Sequence, residues 1–175
     1  PADGGAWTAS GVAVVGSAPS PRPSRETANI GSSDIDASIA QDIGKPLLVF
    51  TEPADDDGYH VAASVFVHGG QPELRLTATQ PSGDDLAFAG TLAANGSCDP
   101  SSSDVTCVVT AEDEFGWRRM SVMAVIPASS SSLAFKLTNF NRSQHLLATA
   151  PQLEVGAFAT SYVPTTASGG ARRPA

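Results

Sequence analysis

The chain has 175 residues, a length that fits one domain able to bury its own hydrophobic core. Its net charge is −8, and only 16% of its residues are charged. Such a chain would be repelled by the phosphates of nucleic acids and by anionic membrane surfaces. We therefore expect neither a nucleic acid nor a membrane as a partner.

The N-terminal third of the chain is predicted to contain loops and short strands. Gly occurs 16 times and Pro 13 times in the whole sequence, and both residues interrupt helices. Ser17–Ser24 has three prolines among small residues, which is typical of a loop. Ile35, Ala37 and Ile39 alternate with polar residues, so we predict that Ser38–Ile43, an ambiguous segment, is a strand.

From Tyr59 onwards, hydrophobic side chains alternate with a period of two, which is typical of half-buried strands. Turn sequences such as Asn95-Gly96 and Phe115-Gly116 separate the alternating segments. Short strands with regular turns predict an all-β domain of two packed antiparallel sheets. The alternating segments are Tyr59–His68, Leu74–Thr79, Val105–Thr110, Arg119–Ile126, Leu133–Thr138 and Gln152–Val155.

The chain has two cysteines, Cys98 and Cys107, which flank a polar, serine-rich turn. Two short strands joined by that turn would bring the cysteines close enough to form a disulfide. Such a bridge would stabilise the fold by roughly 2–3 kcal/mol and would indicate an oxidising compartment. The alternative is two free, partly buried thiols, and we favour the disulfide.

The C-terminal segment Ala150–Thr166 is the most specific sequence in the chain. From Gln152 it reads Q-L-E-V-G-A-F-A-T-S-Y-V-P-T-T, which resembles the closing strand of a carbohydrate-binding-module-like jelly-roll domain of bacteriophage particle proteins. Ala6-Trp7-Thr8, Tyr59–His68 and Glu112–Val122 resemble other strands of that family, in the same order. Arg118 is a departure, since the family usually has an aromatic residue there.

The resemblance implies a jelly-roll sandwich on a phage particle, in a tail fibre, a spike or a capsid decoration. Modules of this shape commonly assemble as trimers, so a homo-oligomer and other virion proteins are the expected partners. We expect a single domain over residues 1–166 and an extended C-terminal arm over residues 167–175. Arg172–Arg173 in that arm would then make contacts between subunits.

Trp117 and Arg118 are the candidate glycan-binding residues. Trp117 follows Gly116 at a predicted turn, where its ring could stack on the apolar face of a sugar while Arg118 donates hydrogen bonds at the rim. The alternative, which we favour, is that Trp117 and Trp7 anchor the core or the end of a sheet.

The other polar clusters in the sequence are weaker candidates for a functional site. Asp55-Asp56-Asp57 could offer oxygen ligands to calcium, but a solvated acidic turn is the favoured interpretation. His60 and His68 would lie about 26 Å apart on one strand, too far to share a metal. The sequence has no nucleophile-elbow, Walker or dinucleotide pattern. We therefore expect no metal, no cofactor and no enzymatic activity.

Three functions remain open on these grounds. The first is a non-enzymatic structural protein on the surface of a phage virion. The second is an adhesin module that recognises a host surface polysaccharide, and the third is a subunit of a bacterial extracellular fibre. All three place the protein on a virion surface or outside the cell.

Overall fold

The computed structural model describes four short N-terminal strands, at residues 8–10, 12–15, 27–30 and 38–42, and then residues 58–141 and 143–160. These described residues contain twelve strands and no helix. The strands are β1 (Thr8–Ser10), β2 (Val12–Val15), β3 (Thr27–Ile30), β4 (Ser38–Asp42), β5 (Tyr59–His68), β6 (Pro72–Thr79), β7 (Asp85–Leu92), β8 (Cys98–Pro100), β9 (Val105–Val109), β10 (Arg118–Ile126), β11 (Ser132–Asn139) and β12 (Leu146–Val155).

The strands form two six-stranded sheets in which every pair is antiparallel. The first sheet has the order β1-β4-β11-β6-β7-β8, and the second has the order β2-β3-β12-β5-β10-β9. Neighbours in both sheets come from distant parts of the chain, as in Greek-key and jelly-roll sandwiches. The predicted all-β, two-sheet jelly-roll sandwich is confirmed.

The hydrophobic core lies between the two sheets and follows the alternation of the sequence. On β6, every second residue is buried, from Pro72 to Ala78. Full burial of each aliphatic side chain contributes about 1.5–3 kcal/mol, so these residues fix which face of each strand points inward. The largest fully buried side chains are Phe135, Ile30, Leu74, Leu76, Met120, Ile126, Leu133, Leu137, Leu146, Val61, Val65 and Val122.

Two parts of the strand pattern differ from the sequence-based prediction. Strand β7 was not predicted, because small apolar residues such as Ala87 and Ala89 occupy its outward positions and remove the contrast between the two faces. Strand β12 begins at Leu146, well before the predicted start at Gln152. A register shift between Thr149 and Gln152 interrupts its pairing with β5, and this irregularity hides the alternation.

The expected domain limits extend past the described residues, which end at Thr160. The boundary at residue 166 and the arm at 167–175 therefore stay predictions. Trp7, Asp55-Asp56-Asp57 and Arg172–Arg173 also lie outside the described residues. In the described part, no helix is long and apolar enough to cross a membrane.

Four loops meet at one end of the sandwich, because of the strand register. They connect β5 to β6, β7 to β8, β9 to β10 and β11 to β12. Strand β5 ends and β6 begins at this end of the sandwich. Antiparallel pairing places the ends of β7 and β11 there, and also the starts of β10 and β12. The pairs that define this level are Arg118 with Val67, Asn139 with Pro72, Thr91 with Glu73, and Leu147 with His68.

Candidate functional site

The four loops enclose a cavity of about 420 Å³ at this end of the sandwich, which we call the end cleft. Its floor includes apolar side chains of Val67 and Leu92, and its backbone wall includes Gly69 and Gly70. The polar side chains that line it are His68, Gln71, Glu112, Arg118, Asn141 and Gln144. Amide, guanidinium, imidazole and carboxylate groups together provide both donors and acceptors of hydrogen bonds.

Asn139, at the end of β11, fixes one side of the end cleft. Its side chain is buried, and its Oδ1 accepts hydrogen bonds from the Gln71 N–H (3.1 Å) and the Asn141 N–H (3.0 Å). Its Nδ2 donates to the Gln144 carbonyl (2.9 Å) and to the Ile30 carbonyl (3.3 Å). One side chain thus ties two loops of the end cleft to β3, on the opposite sheet.

Asp113 fixes the other side of the end cleft in a comparable way. Its Oδ1 accepts hydrogen bonds from the N–H groups of Phe115 (2.9 Å) and Trp117 (2.8 Å). The Asp113 N–H in turn donates to the Trp117 carbonyl (2.9 Å). Gly116 completes this turn with a φ of 84°, a conformation that glycine adopts without steric cost. A Cβ at Gly116 would also lie 2.8 Å from Nε2 of His68.

Arg118 lines the end cleft and is paired with Glu112. Its Nη2 lies 2.6 Å from Glu112 Oε2, and its Nε lies 3.2 Å from the same oxygen. The two side chains are 29% and 51% exposed, so water and a ligand can both reach the pair. Arg118 therefore lines the end cleft, and its expected role as a hydrogen-bond donor to a ligand stays a prediction.

Trp117 does not offer a free ring face to a ligand, because the residue is only 2% exposed. Its ring lies against the His68 ring, with 5.5 Å between centroids and an angle of 53° between the ring planes. This position fits the alternative that the sequence favoured, in which the tryptophan anchors the end of a sheet. Any stacking surface at this end has to come from other residues.

A disulfide joins Cys98 to Cys107, with 5.6 Å between their Cα atoms. The two cysteines lie on β8 and β9, which were expected to be neighbours across a turn. They belong instead to opposite sheets, as edge strands of the first and the second sheet. The bridge therefore crosses the open edge of the sandwich and links the two layers, rather than closing a hairpin.

The outer face of the second sheet is partly covered by the chain that follows β12. Gly156–Thr160, which we call the return segment, begins with a hydrogen bond from the Gly156 N–H to the His60 carbonyl (2.8 Å). Its last residue, Thr160, accepts a hydrogen bond from Arg119 and donates its N–H to Glu154 Oε2 (2.9 Å). The return segment therefore covers part of this sheet face.

Strand β5 carries the outward side chains beneath this region. Ala62 and Ser64 point to the outer face but are 0% and 1% exposed. Arg119 Nη2 donates to Ser64 Oγ (2.8 Å), and the Arg119 guanidinium lies 5.9 Å from the centre of the Phe66 ring. These contacts occupy this part of the sheet face.

Within the described residues, no group of three or more His, Cys, Asp or Glu side chains is placed to hold a metal ion. The acidic pairs and triplets there, such as Asp84-Asp85 and Glu112-Asp113-Glu114, are exposed, and all but Asp85, the first residue of β7, lie in loops. The described part therefore provides polar groups for binding but no assembled metal centre.

Comparison with known proteins places this fold beside carbohydrate-binding modules. No protein-family model matches the chain, and a search of curated proteins found no match. Among solved structures, it is similar to the CBM22-1 xylan-binding domain of Paenibacillus barcinonensis Xyn10C, with a TM-score of 0.53 and 16% identity over 87% of each chain.

The comparison found two further structures. The enzymatically active domain structure of bacteriophage CBA120 tailspike protein 4 has a TM-score of 0.54 and 8% identity, over 87% of this chain and 19% of that one. TmCBM61, solved with β-1,4-galactotriose, has a TM-score of 0.47 and 11% identity over 86% of this chain and 88% of that one. At these identities the similarities to the xylan-binding domain and to the tailspike domain establish only the fold, a two-sheet β-sandwich.

Proposed function

We propose that this chain is a non-catalytic carbohydrate-binding domain displayed on the surface of a bacteriophage particle, and that it binds a host polysaccharide at the end cleft. The observation that carries the proposal is the end cleft itself. Its volume of about 420 Å³ lies in the range of small-molecule sites. The six polar side chains that line it can pair with several hydroxyl groups at once.

The polar groups suit the hydroxyls of a sugar because they include both donors and acceptors. Gln71, Asn141 and Gln144 each carry an amide, which donates and accepts, while Arg118 only donates and an ionised Glu112 only accepts. Asn139 and Asp113 hold the surrounding loops by hydrogen bonds to their backbone, so the chain that carries these polar groups is fixed in place. A preorganised site loses less conformational entropy on binding.

The same lining argues against hydrolysis of a bound glycan. Glycoside hydrolysis commonly needs two carboxyl groups on opposite sides of the scissile bond. Among the described residues that line the end cleft, Glu112 supplies a single carboxylate, and Arg118 already pairs with it. This arrangement supports binding without catalysis.

Display on a phage particle is supported by three observations. The ending from Gln152 to Thr166 resembles that of phage particle domains, and a tailspike chain contains a domain of the same fold. The Cys98–Cys107 disulfide suits an oxidising, extracellular setting.

A glycan array, followed by calorimetric titration of the positive glycans, tests the proposal. Arg118→Ala should weaken binding about tenfold or more, because a hydrogen bond to a charged group contributes roughly 1.5–3 kcal/mol. Arg75→Ala is the matched control, since Arg75 also forms one ion pair, with Glu73 at 2.8 Å, but lies outside the end cleft.

We expect the Arg75 variant to bind like the unchanged protein. Absence of binding to any glycan at millimolar concentration would contradict the proposal. So would equal affinities of the Arg118 and Arg75 variants, because binding would then occur elsewhere on the surface.

The second candidate is a purely structural virion module that binds no glycan. Exposed apolar side chains favour it: Val108 on β9 is 49% exposed and Val125 on β10 is 36% exposed. Both lie on the outer face of the second sheet, since they pair with Ser121 and His60. Contacts with other subunits would remove these side chains from water.

A further inference from the structure

We propose that Gly96 is a positioning residue of the end cleft: its turn closes on the Arg118 guanidinium and, together with Glu112, holds that group ready to bind a glycan. This inference rests on the proposed function, in which Arg118 contributes to glycan binding. A Cβ added at Gly96 would lie 2.6 Å from Arg118 Nη1, closer than Cβ atoms approach a neighbour in real proteins. Only glycine therefore lets the guanidinium lie where the structure has it.

The turn that carries Gly96 belongs to a class that occurs three times among the described residues, at Gln80–Asp84, Ala93–Ser97 and Asp113–Trp117. In each turn, the N–H of the first residue donates to the carbonyl of the fifth, and the N–H of the glycine at the fourth position donates to the carbonyl of the first. The φ of this glycine is 84° at Gly96, 84° at Gly116 and 92° at Gly83. The same backbone conformation thus occurs in three places that differ in their surroundings.

The surroundings of the three glycines separate a binding role from a purely conformational one. A Cβ at Gly83 would meet nothing within 4 Å, and Gly83 does not line the end cleft. A Cβ at Gly116 would lie 3.4 Å from Glu112 Oε1, and Glu112 forms the ion pair with Arg118, the side chain that Gly96 approaches. Two of the three glycines therefore lie against the two members of one ion pair, which lines the end cleft.

Hydrogen bonds make the Gly96 turn rigid. The Gly96 N–H donates to the Ala93 carbonyl (2.9 Å), and the Ala93 N–H donates to the Ser97 carbonyl (2.9 Å). Asn95 Oδ1 accepts hydrogen bonds from the Ser97 N–H (2.9 Å) and hydroxyl (2.7 Å). Because the end of an arginine side chain rotates more easily than such a turn deforms, a methyl group at Gly96 should displace the Arg118 guanidinium and leave the turn intact.

Glu112 holds the same guanidinium through two hydrogen bonds. Nη2 and Nε of Arg118 both donate to Glu112 Oε2, at 2.6 and 3.2 Å. With these two donors on the carboxylate and Nη1 against Gly96, the guanidinium has one orientation before a ligand arrives. An arginine side chain loses conformational entropy when it is fixed, and here that loss occurs on folding rather than on binding. Gly96 should therefore raise glycan affinity without contacting the glycan.

Exchange of the Arg118 Nε–H with water, measured by NMR on the ligand-free protein, tests the positioning directly. Gly96→Ala should speed this exchange about three- to tenfold, because the displaced guanidinium loses part of its charge-assisted hydrogen bonding to Glu112. Gly83→Ala is the matched control and should leave the rate unchanged, since it has the same turn in open surroundings. Arg75, whose Nε also donates to a carboxylate (2.9 Å), is the internal reference in every variant.

Calorimetric titration with xylotetraose, galactotetraose and each glycan that the array identifies measures the effect on binding. Gly96→Ala should weaken binding about two- to tenfold relative to Gly83→Ala, because the guanidinium then has to be ordered by the ligand. In an Arg118→Ala background, Gly96→Ala should cause no further loss, since it acts only through that guanidinium. Equal losses in both backgrounds would contradict the inference, because Gly96 would then affect the site by another route.

Thermal unfolding keeps a loss of folding apart from a loss of positioning. Gly96→Ala and Gly83→Ala carry the same cost of a left-handed φ, so their unfolding temperatures should agree. If Gly96→Ala is too unstable to measure, Gly96→Asn replaces it, since asparagine adopts this conformation more readily and also places a Cβ against Nη1.

The outcomes separate this inference from the proposed function. If Arg118→Ala loses binding while Gly96→Ala and Gly83→Ala have equal affinities and equal Arg118 exchange rates, the end cleft binds glycan and the positioning inference is wrong. If the unchanged protein binds no glycan, the proposed function fails, and the exchange rates alone decide whether Gly96 holds the guanidinium.

Discussion

Gly90 lies where the disulfide crosses the edge of the core, and the absence of its side chain is what makes room for the bridge. A Cβ added at Gly90 would collide with Sγ of Cys107 and would lie 3.0 Å from Cys107 Cβ and from Val122 Cγ2. The bridge occupies the space that a side chain on β7 would otherwise fill.

Gly90→Ala should therefore lower the free energy of unfolding by about 1–3 kcal/mol, the usual cost of overpacking a core. The cost should be smaller in a Cys98→Ala/Cys107→Ala background, because the colliding sulfur is then absent. Urea unfolding of the four proteins in this double-mutant cycle measures the coupling.

Gly83→Ala is the control for the effect of replacing a glycine by alanine where no side chain lies nearby. A Cβ at Gly83 meets nothing within 4 Å, but its φ of 92° costs about 1–2 kcal/mol for a residue with a side chain. Its effect should be the same with and without the disulfide. Equal costs of Gly90→Ala in both backgrounds would show that the bridge does not occupy this space.

At the scale of strands and loops, Asn139 joins elements that are far apart in the sequence. Its four hydrogen bonds connect the end of β11 to Gln71 after β5, to Asn141 and Gln144 before β12, and to Ile30 on β3. A buried polar side chain with all its hydrogen-bonding capacity used specifies one arrangement of these loops.

Asn139→Asp should lower the free energy of unfolding by about 2–4 kcal/mol, because the carboxylate cannot donate to the two carbonyls and carries a buried charge. Since the same bonds position Gln71 and Gln144, glycan affinity should fall as well. Chemical unfolding and calorimetric titration below the unfolding transition measure the two effects.

Asn95→Asp provides the comparison for this change. Asn95 Oδ1 only accepts hydrogen bonds, from the N–H and the hydroxyl of Ser97, and a carboxylate can accept both. We expect it to be nearly neutral in stability and in binding. A similar loss in both variants would argue against the linking role of Asn139.

At the scale of the whole molecule, the outer face of the second sheet carries the surface that an assembly would cover. Phe158 on the return segment is 77% exposed, and Val108 on the edge strand β9 is 49% exposed. Apolar surface of this kind commonly marks contacts between proteins when it forms a contiguous patch.

If the protein assembles through this face, light scattering should give a trimer, and Val108→Asp should shift it to the monomer without loss of glycan binding. A charge placed in a buried interface is costly, because the interface removes its water. Leu86→Asp is the control, since Leu86 is 39% exposed but lies on β7 of the first sheet. A monomer at all concentrations would contradict a trimeric module.

The strands of the core could be predicted from the sequence because the alternation of apolar residues is a local property. Tyr59–His68 was predicted as a strand, and the structure has the same limits. Strand β7 was missed because Ala87 and Ala89 give its two faces similar polarity. The sequence favours an anchoring role for Trp117, and the structure buries this residue to 2% exposure.

The order of residues thus determined an all-β sandwich, because side chains that alternate every second position can be buried only between two sheets. It also brought the two cysteines close through a short connection. Only the tertiary structure decided that Cys98 and Cys107 lie on opposite sheets, and that four separate loops enclose one polar end cleft. These features depend on strand pairing between distant segments, and pairing at long range leaves no local pattern in the sequence.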